Sequence, residues 1–339
     1  MAAHRTATRF LLVSLGSIGR RHLANLRALR PDARIGVLRL QAGPDAPLPQ
    51  GADLQFHALA QALEFAPDAA IVASPASRHA EVALPLLRAG VPVLAEKPLA
   101  DSAAQGEAMV ACARASGALL MTAYNLRFLP LLREVRRLLQ GDTLGEVLSV
   151  RGEVGQYLPD WRPGTRYQEA VSAQRALGGG ALLELSHELD FLGWVFGPPR
   201  RVTATGGRYS GLEIDVEDLA EVTLAYEQPR RLVQLRLDLL QRVPSRTGQA
   251  IGSQGTLRWD VIANTLGLFR ADGAGWQALQ VPALPDRNAT YVEELRHFLR
   301  AVEEGAPCEV DGAQGLAALR IVEAARRSMA QGRTVELAA

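Results

Sequence analysis

The chain has 339 residues, 48% of them hydrophobic and 22% charged, which is length enough for two packed domains and excludes a disordered chain. Its 37 basic and 36 acidic residues leave a formal charge of +1, so the broad positive field that a polyanion needs is missing and nucleic acid is not an expected partner. Two isolated cysteines and 6 scattered histidines exclude a disulfide framework and offer no compact ligand set, so no metal is expected.

The first apolar run, Phe10 to Leu15, is only six residues long before Gly16. That is too short for a secretory core or a membrane span, and a cytoplasmic address without membrane contact is expected. From there to about Tyr124 short apolar runs alternate with helical patterns, the rhythm of a parallel sheet wrapped by helices. Strands are expected at Phe10 to Leu15, Arg34 to Arg39, Asp53 to Phe56, Ala69 to Ala73, Pro92 to Ala95 and Ala118 to Ala123. Leu23, Leu26 and Leu29 share one helical face, as do Val82, Leu86 and Ala89. The Pro- and Gly-rich stretch Gln41 to Gly51 replaces one crossover helix with a loop.

After Tyr124 the period changes. A helix from about Leu129 to Leu139 precedes strand-like stretches at Val147 to Tyr157, Arg201 to Arg208, Leu219 to Tyr226, Arg231 to Leu239, Thr256 to Val261, Thr265 to Phe269 and Trp276 to Val281. Helices at Tyr291 to Glu304 and Gly315 to Ala330 close the chain. The expected fold is therefore an α/β Rossmann domain over residues 1–123, followed by an α+β domain over residues 124–339 with a large, mainly antiparallel open sheet.

Ser14-Leu15-Gly16-Ser17-Ile18-Gly19 ends the first strand and opens the first helix, where backbone N–H groups and the helix dipole hold a pyrophosphate. Ser14 stands where the G-x-G-x-x-G fingerprint has its first glycine. The competing reading is an ordinary tight strand-to-helix turn, but its place at the first strand-helix junction favours a dinucleotide. About twenty positions on, where an acidic residue would hold the ribose of NAD, the chain has Arg39. An arginine there pairs with a 2′-phosphate, so NADP is favoured and NAD is possible, with Arg20 and Arg21 near enough to assist and a merely solvent-facing Arg39 as the alternative.

Lysine occurs once, at Lys97, and the other 36 basic residues are arginines. A position that keeps lysine amid that bias reads as one that needs a compact, titratable ammonium, with chance as the competing explanation. Glu96-Lys97-Pro98 also follows a parallel strand at its carboxyl end, where such sheets place ligands, and an ammonium there can stabilise an oxyanion that develops during hydride transfer. A surface turn is the bland alternative. Gly178-Gly179-Gly180 then opens a helix expected from Ala181 to Phe196, on which Glu184, His187 and Glu188 share a face with Asp190 just beyond. A histidine flanked by carboxylates can exchange protons near neutral pH, and three glycines suggest that something approaches the backbone; a solvated face with a passive histidine is the alternative.

Taken in order, Gly16 to His22, Ser74-Pro75 to His79, Glu96-Lys97-Pro98, Asn125-Leu126-Arg127-Phe128, the triple glycine with its helix, and Tyr291 through Val310-Asp311-Gly312 resemble the Gfo/Idh/MocA family of NAD(P)-dependent oxidoreductases. The resemblance implies that Lys97 and His187 serve the reaction and that Asn125 and Arg127 lie near nicotinamide and substrate. It assigns Gly16, Ser17, Ile18, Gly19, Arg20, Arg39, Ser74, Pro75, His79, Glu96 and Asn125 to the cofactor. Lys97, Arg127, Tyr157, Trp161, Arg162, Tyr167 and His187 fall to the substrate. The common helix pattern of the family, G-G-G-x-x-x-D-x-x-x-H, is altered here, since Glu184 takes the aspartate position and His187 arrives one residue early; Glu184, Tyr157 or Tyr167 are therefore alternative proton shuttles.

The function so implied interconverts a secondary alcohol and a ketone on a sugar, polyol or nucleotide sugar, with Lys97 polarising the oxygen and His187 shuttling the proton. A catalytically silent NAD(P)- or sugar-sensing protein is the rival reading, and a reductase of imines or tetrapyrrole-type substrates a weaker one. The resemblance also implies a homodimer or homotetramer, joined through the antiparallel sheet.

Overall fold

The computed structural model describes residues 6–43 and 45–337, and their contacts divide into two compact units. The first begins β1 (Arg9–Val13), α1 (Ser17–Leu29), β2 (Arg34–Leu38), β3 (Leu54–Phe56), α2 (Leu59–Glu64), β4 (Ala69–Val72), α3 (His79–Arg88), β5 (Val93–Glu96), α4 (Ala103–Ser116) and β6 (Leu120–Ala123). Its strands pair in the order β3-β2-β1-β4-β5-β6, all parallel. Phe10, Leu11, Leu12, Ile71 and Leu94 are buried to within 1% of their surface, as strands covered on both faces require, and this is why each reads as a continuous apolar run. Successive connections leave β1 in opposite directions, towards β2 and towards β4. A crevice therefore opens at the carboxyl ends of β1 and β4, the place where doubly wound sheets take ligands.

The second unit opens with α5 (Pro130–Gln140), β7 (Val147–Gly155), α6 (Ala181–Glu184) and α7 (His187–Phe196). It continues through β8 (Arg201–Gly207), β9 (Leu219–Glu227), β10 (Arg230–Asp238), β11 (Ser245–Gly252), β12 (Gly255–Asp260), β13 (Thr265–Arg270) and β14 (Trp276–Leu279). The chain then forms α8 (Ala289–Glu304), α9 (Gly312–Gln331) and the short β15 (Val335–Glu336). Nine strands make one sheet, β14-β13-β12-β11-β7-β10-β9-β8-β15, antiparallel throughout except for the β7–β10 pair. Along β8 and β10 buried and exposed residues alternate, the mark of a sheet with one covered face and one open face.

Two departures from the sequence reading bear on the site. The expected boundary after residue 123 falls after residue 125, and residues 287–316 return to the first unit. The cause is α8, which lies on α1: Asn25 and Asn288 exchange side-chain hydrogen bonds of 3.1 and 2.8 Å, and Arg30 pairs with Glu303 at 2.6 Å. The continuous helix expected from Ala181 to Phe196 is also broken. Leu185 leaves helical geometry at φ −100°, ψ 21°, and the Ser186 N–H turns to the Leu183 carbonyl at 3.4 Å, a tighter turn that separates α6 from α7. Glu184 therefore closes α6 and His187 opens α7, in place of the one continuous helix expected to carry both. No helix among the described residues is long and apolar enough to cross a membrane.

Candidate active site

In the first unit the candidate residues gather at the carboxyl ends of the parallel strands. Ser14 follows β1 with φ +73°, so the residue that replaces a glycine adopts the backbone conformation glycine favours. A Cβ on Gly19 would lie 2.3 Å from the Ser14 carbonyl oxygen, which is the close helix-to-strand approach the fingerprint needs. Around Gly16, by contrast, a Cβ would meet nothing. Gly16 is the N-cap of α1, no side chain caps it, and no acidic residue stands in the first turn. Gly16, Ser17 and Arg20 are exposed and Ile18 half-buried, so this helix start is open to an anion.

Ser74 and Pro75 follow β4, across the switch point from Gly16. The Ser74 hydroxyl is buried without a hydrogen-bond partner among the described residues, a polar atom left over for a ligand. His79 is 1% exposed, and its ring nitrogens lie 2.8 Å from the Ser74 carbonyl and 3.1 Å from the Leu99 carbonyl. It ties the loop after β4 to the loop after β5, and burial holds its ring below the ordinary histidine value. Assigned to the cofactor by resemblance, His79 is placed by the structure as a support for the loops that face it.

Glu96 ends β5 and is 7% exposed; Lys97 is half-buried, and the Lys97–Pro98 peptide is cis. His22 of α1, fully buried, donates from Nε2 to Glu96 Oε1 at 2.6 Å, while Glu96 Oε2 accepts the Lys97 backbone N–H at 3.1 Å. Tyr291 of α8 sets its ring edge to His22 at 6.3 Å and carries the Arg21 guanidinium 4.5 Å above its face. Burial, and then the Glu96 carboxylate, push the Tyr291 phenol up, against the pull of Arg21 and Lys97. Neither the His22–Glu96 pair nor the contact of Tyr291 with His22 emerges from spacing, because Glu96 lies 74 residues from His22 and Tyr291 stands on α8, which returns to α1 only after strands β7 to β14. Asn125, 4% exposed, donates to the Thr290 hydroxyl at 2.7 Å. Arg39 lies just beyond β2, half-buried, with Nη1 3.2 Å from Gln55 Oε1 and 3.4 Å from the Pro47 carbonyl.

These observations fit a dinucleotide. The uncapped start of α1 with its open glycine would take the pyrophosphate, and the unpartnered Ser74 hydroxyl lies across the same crevice.

In the second unit, His187 begins α7 and lines a cavity of about 30 Å³ with Leu126, Phe191, Trp259, Arg246 and apolar neighbours. That volume admits about one water molecule. Two of the carboxylates expected near the histidine, Glu188 and Asp190, are taken by arginines. Glu188 Oε1 lies 2.8 Å from Arg246 Nε, and Asp190 accepts from Arg127 Nε at 2.9 Å and Nη2 at 2.6 Å, with Arg127 and Asp190 both 3% exposed. Burial pushes the Asp190 carboxyl up and the guanidinium pulls it back. Trp194 completes this cluster, with the guanidinium carbons of Arg136 and Arg127 at 4.3 and 5.4 Å from its ring. Arg127, assigned to the substrate by resemblance, is thus engaged in a buried bidentate pair; removing one partner of such a pair costs about 3–5 kcal/mol.

The triple glycine has an internal explanation. A Cβ on Gly179 would lie 2.3 Å from the Val171 carbonyl oxygen, and one on Gly180 would meet the Glu217 carboxylate at 2.5 Å. What approaches the backbone there is the protein itself. Glu184, at the end of α6, is half-buried. The Tyr167 hydroxyl accepts the Glu213 N–H at 3.2 Å, Trp161 donates to the Gln156 carbonyl at 3.0 Å, and the Arg242 guanidinium stands 3.5 Å over the half-buried Tyr157 ring. Arg162 is exposed beside them.

Two family models match the chain: the oxidoreductase family, NAD-binding Rossmann fold, over residues 8–124, and the GFO/IDH/MocA C-terminal domain over residues 132–258. The chain is 32% identical over 183 residues to trans-1,2-dihydrobenzene-1,2-diol dehydrogenase of Xenopus laevis, covering 53% of this chain and 52% of that protein. It is 35% identical over 162 residues to the Bos taurus enzyme of the same name, covering 47% and 45%. The match thus spans about half the length of these curated relatives. Among solved structures, GenD2 from gentamicin A biosynthesis in complex with NAD superimposes with a TM-score of 0.82 at 27% identity, over 100% of this chain and 98% of that one. Levoglucosan dehydrogenase in complex with NADH and L-sorbose superimposes at 0.83 with 20% identity, over 97% and 98%, a likeness of fold.

Proposed function

From the premise that the chain belongs to the Gfo/Idh/MocA family of oxidoreductases, we propose that it is an NAD(P)-dependent dehydrogenase interconverting a secondary alcohol and a ketone on a sugar, polyol or nucleotide sugar. The observation that carries this reading is Lys97: the only lysine of the chain, half-buried at the carboxyl end of β5, with its peptide N–H fixed by a buried carboxylate. The dinucleotide, when bound, accepts or returns a hydride. The ammonium of Lys97 hydrogen-bonds the reacting oxygen and stabilises the negative charge that grows on it, and His187 takes or returns the hydroxyl proton. Diol and sugar dehydrogenases among the similar proteins support the substrate class. The test is hydride exchange by the purified protein with NAD or NADP and a panel of sugars, polyols and nucleotide sugars. Absence of turnover with every member of the panel, despite cofactor binding, would favour a sensor.

Arg39 supports a preference for NADP. Gln55 and Pro47 hold its guanidinium just past β2, where the adenosine ribose belongs, and a charge-assisted bond to a 2′-phosphate is roughly twice as strong as a neutral one. Arg39→Ala should reduce the ratio of NADPH to NADH affinity roughly tenfold, about 1.4 kcal/mol, in fluorescence titrations. An unchanged ratio would place cofactor choice elsewhere.

The open face of the second unit's sheet supports self-association. Leu232 and Ile251 both pair with Ser149, and the row runs on through Thr256 and Phe269 to Trp276, so one transverse line of side chains crosses six strands. Leu232, Ile251 and Trp276 are 43, 45 and 47% exposed, and beside them runs a groove of about 640 Å³. Apolar rows of this kind mark contact surfaces, and the expected occupant is a second copy of the chain. Light scattering should give at least twice 36.5 kDa, and Ile251→Glu should lower it; a single species of 36.5 kDa at all concentrations would refute the assignment.

A further inference from the structure

The pair formed by His22 and Glu96 does more than fill the interior. His22 stands on the second turn of α1, beside the pyrophosphate turn, and Glu96 immediately precedes Lys97. One carboxylate oxygen takes the imidazole N–H at 2.6 Å and the other takes the Lys97 backbone N–H at 3.1 Å, so a single carboxylate bridges α1 to the peptide of the lysine. Both side chains are nearly inaccessible, and Tyr291 with Arg21 stacked on it packs against the imidazole. A carboxylate held on both oxygens has little rotational freedom left, and charge-assisted bonds of this length are the strong ones. We propose that His22 is a positioning residue for the reaction: through Glu96 it fixes the backbone from which Lys97 reaches the reacting oxygen, with Tyr291 as the wall that keeps its ring in place. The proposal rests on Lys97 serving the reaction. It adds a coupling between the cofactor turn and the lysine, since His22 lies only three residues beyond Gly19 on the same helix.

The single lysine makes the test direct. Protein grown with lysine carrying a heavy nitrogen isotope at its backbone amide gives one labelled peptide N–H, that of Lys97. In the wild type this amide should resonate downfield and exchange slowly with solvent, as a bond to a buried carboxylate requires. His22→Gln places an amide nitrogen where Nε2 stood and should preserve both properties, with turnover within about threefold of wild type. His22→Asn ends its amide where Nδ1 stood, short of Glu96. It should speed exchange of the Lys97 amide at least about tenfold. It should also lower kcat on the order of 10- to 100-fold, with little change in cofactor affinity. Unchanged exchange in His22→Asn, or equal losses in the Gln and Asn variants, would overturn the proposal, and so would a rapidly exchanging amide in the wild type, a measurement that needs no variant. Normal turnover in Lys97→Met would instead remove the reading of Lys97 on which the proposal stands, while the amide measurement would still report whether the clamp exists.

Discussion

Lys97→Met should lose turnover by on the order of 10³-fold while binding the dinucleotide nearly as well as the wild type. The loss arises because the methionine thioether presents no donor to an oxygen that carries negative charge once the hydroxyl proton has left, or as the hydride arrives at the carbonyl carbon. Lys97→Arg should fail almost as badly, since a planar guanidinium, although charged, presents its donors in a fork and needs more room than a half-buried ammonium at the end of β5 occupies. Steady-state kinetics with the best substrate of the panel, together with fluorescence titration of the cofactor, separates the two effects. Full activity in Lys97→Met would remove the feature on which the enzymatic reading depends.

His187→Asn should reduce kcat by roughly 10²- to 10⁴-fold, the usual range for loss of a general acid or base, and leave cofactor affinity nearly unchanged. The break between α6 and α7 sharpens this experiment. Because Ser186 turns back to Leu183, the position of His187 cannot be inferred by counting residues from the triple glycine along an ideal helix. Glu184→Gln, Tyr157→Phe and Tyr167→Phe are the comparison variants. The Tyr167 hydroxyl already accepts the Glu213 N–H, so its loss should act mainly on the local loop. Near-normal turnover in His187→Asn with collapse in Glu184→Gln or Tyr157→Phe would move the proton shuttle to the affected residue and leave the dehydrogenase reading intact.

The parallel sheet was readable because its strands are buried on both faces and spell uninterrupted apolar words, such as Ala69 to Val72. By contrast β11 escaped. Its sequence, Ser-Arg-Thr-Gly-Gln-Ala-Ile-Gly, has a single buried side chain, Ala250, and its Gly248 lies beneath Trp259, so neither alternation nor an apolar run marks it. The helix break was equally hidden, because Leu182, Leu185, Leu189 and Leu192 keep a helical apolar period straight across it. At the site, the turn at Gly16 and the motif at Lys97 were legible as local patterns. Their mutual dependence was not, since the link from His22 to Glu96 spans 74 residues and the Arg127–Asp190 pair spans 63. The triple glycine signalled a close approach to the backbone, and the structure identifies the approaching groups as Val171 and Glu217.

The return of residues 287–316 to the first unit has a consequence for how the chain is made. Synthesis proceeds from the N-terminus, and nascent domains ordinarily fold as soon as they are complete. Here the piece carrying the dinucleotide turn is not complete when residue 125 has left the ribosome. The surface of α1 that Asn288, Tyr291 and Glu303 will cover stays bare until strands β7 to β14 of the second sheet have been translated. A chain cut after Asn125 would therefore leave Asn25, Arg30 and the imidazole of His22 without the α8 residues that pack on them, so this nucleotide-binding half is not a transferable module and must wait for a segment made about 160 residues later.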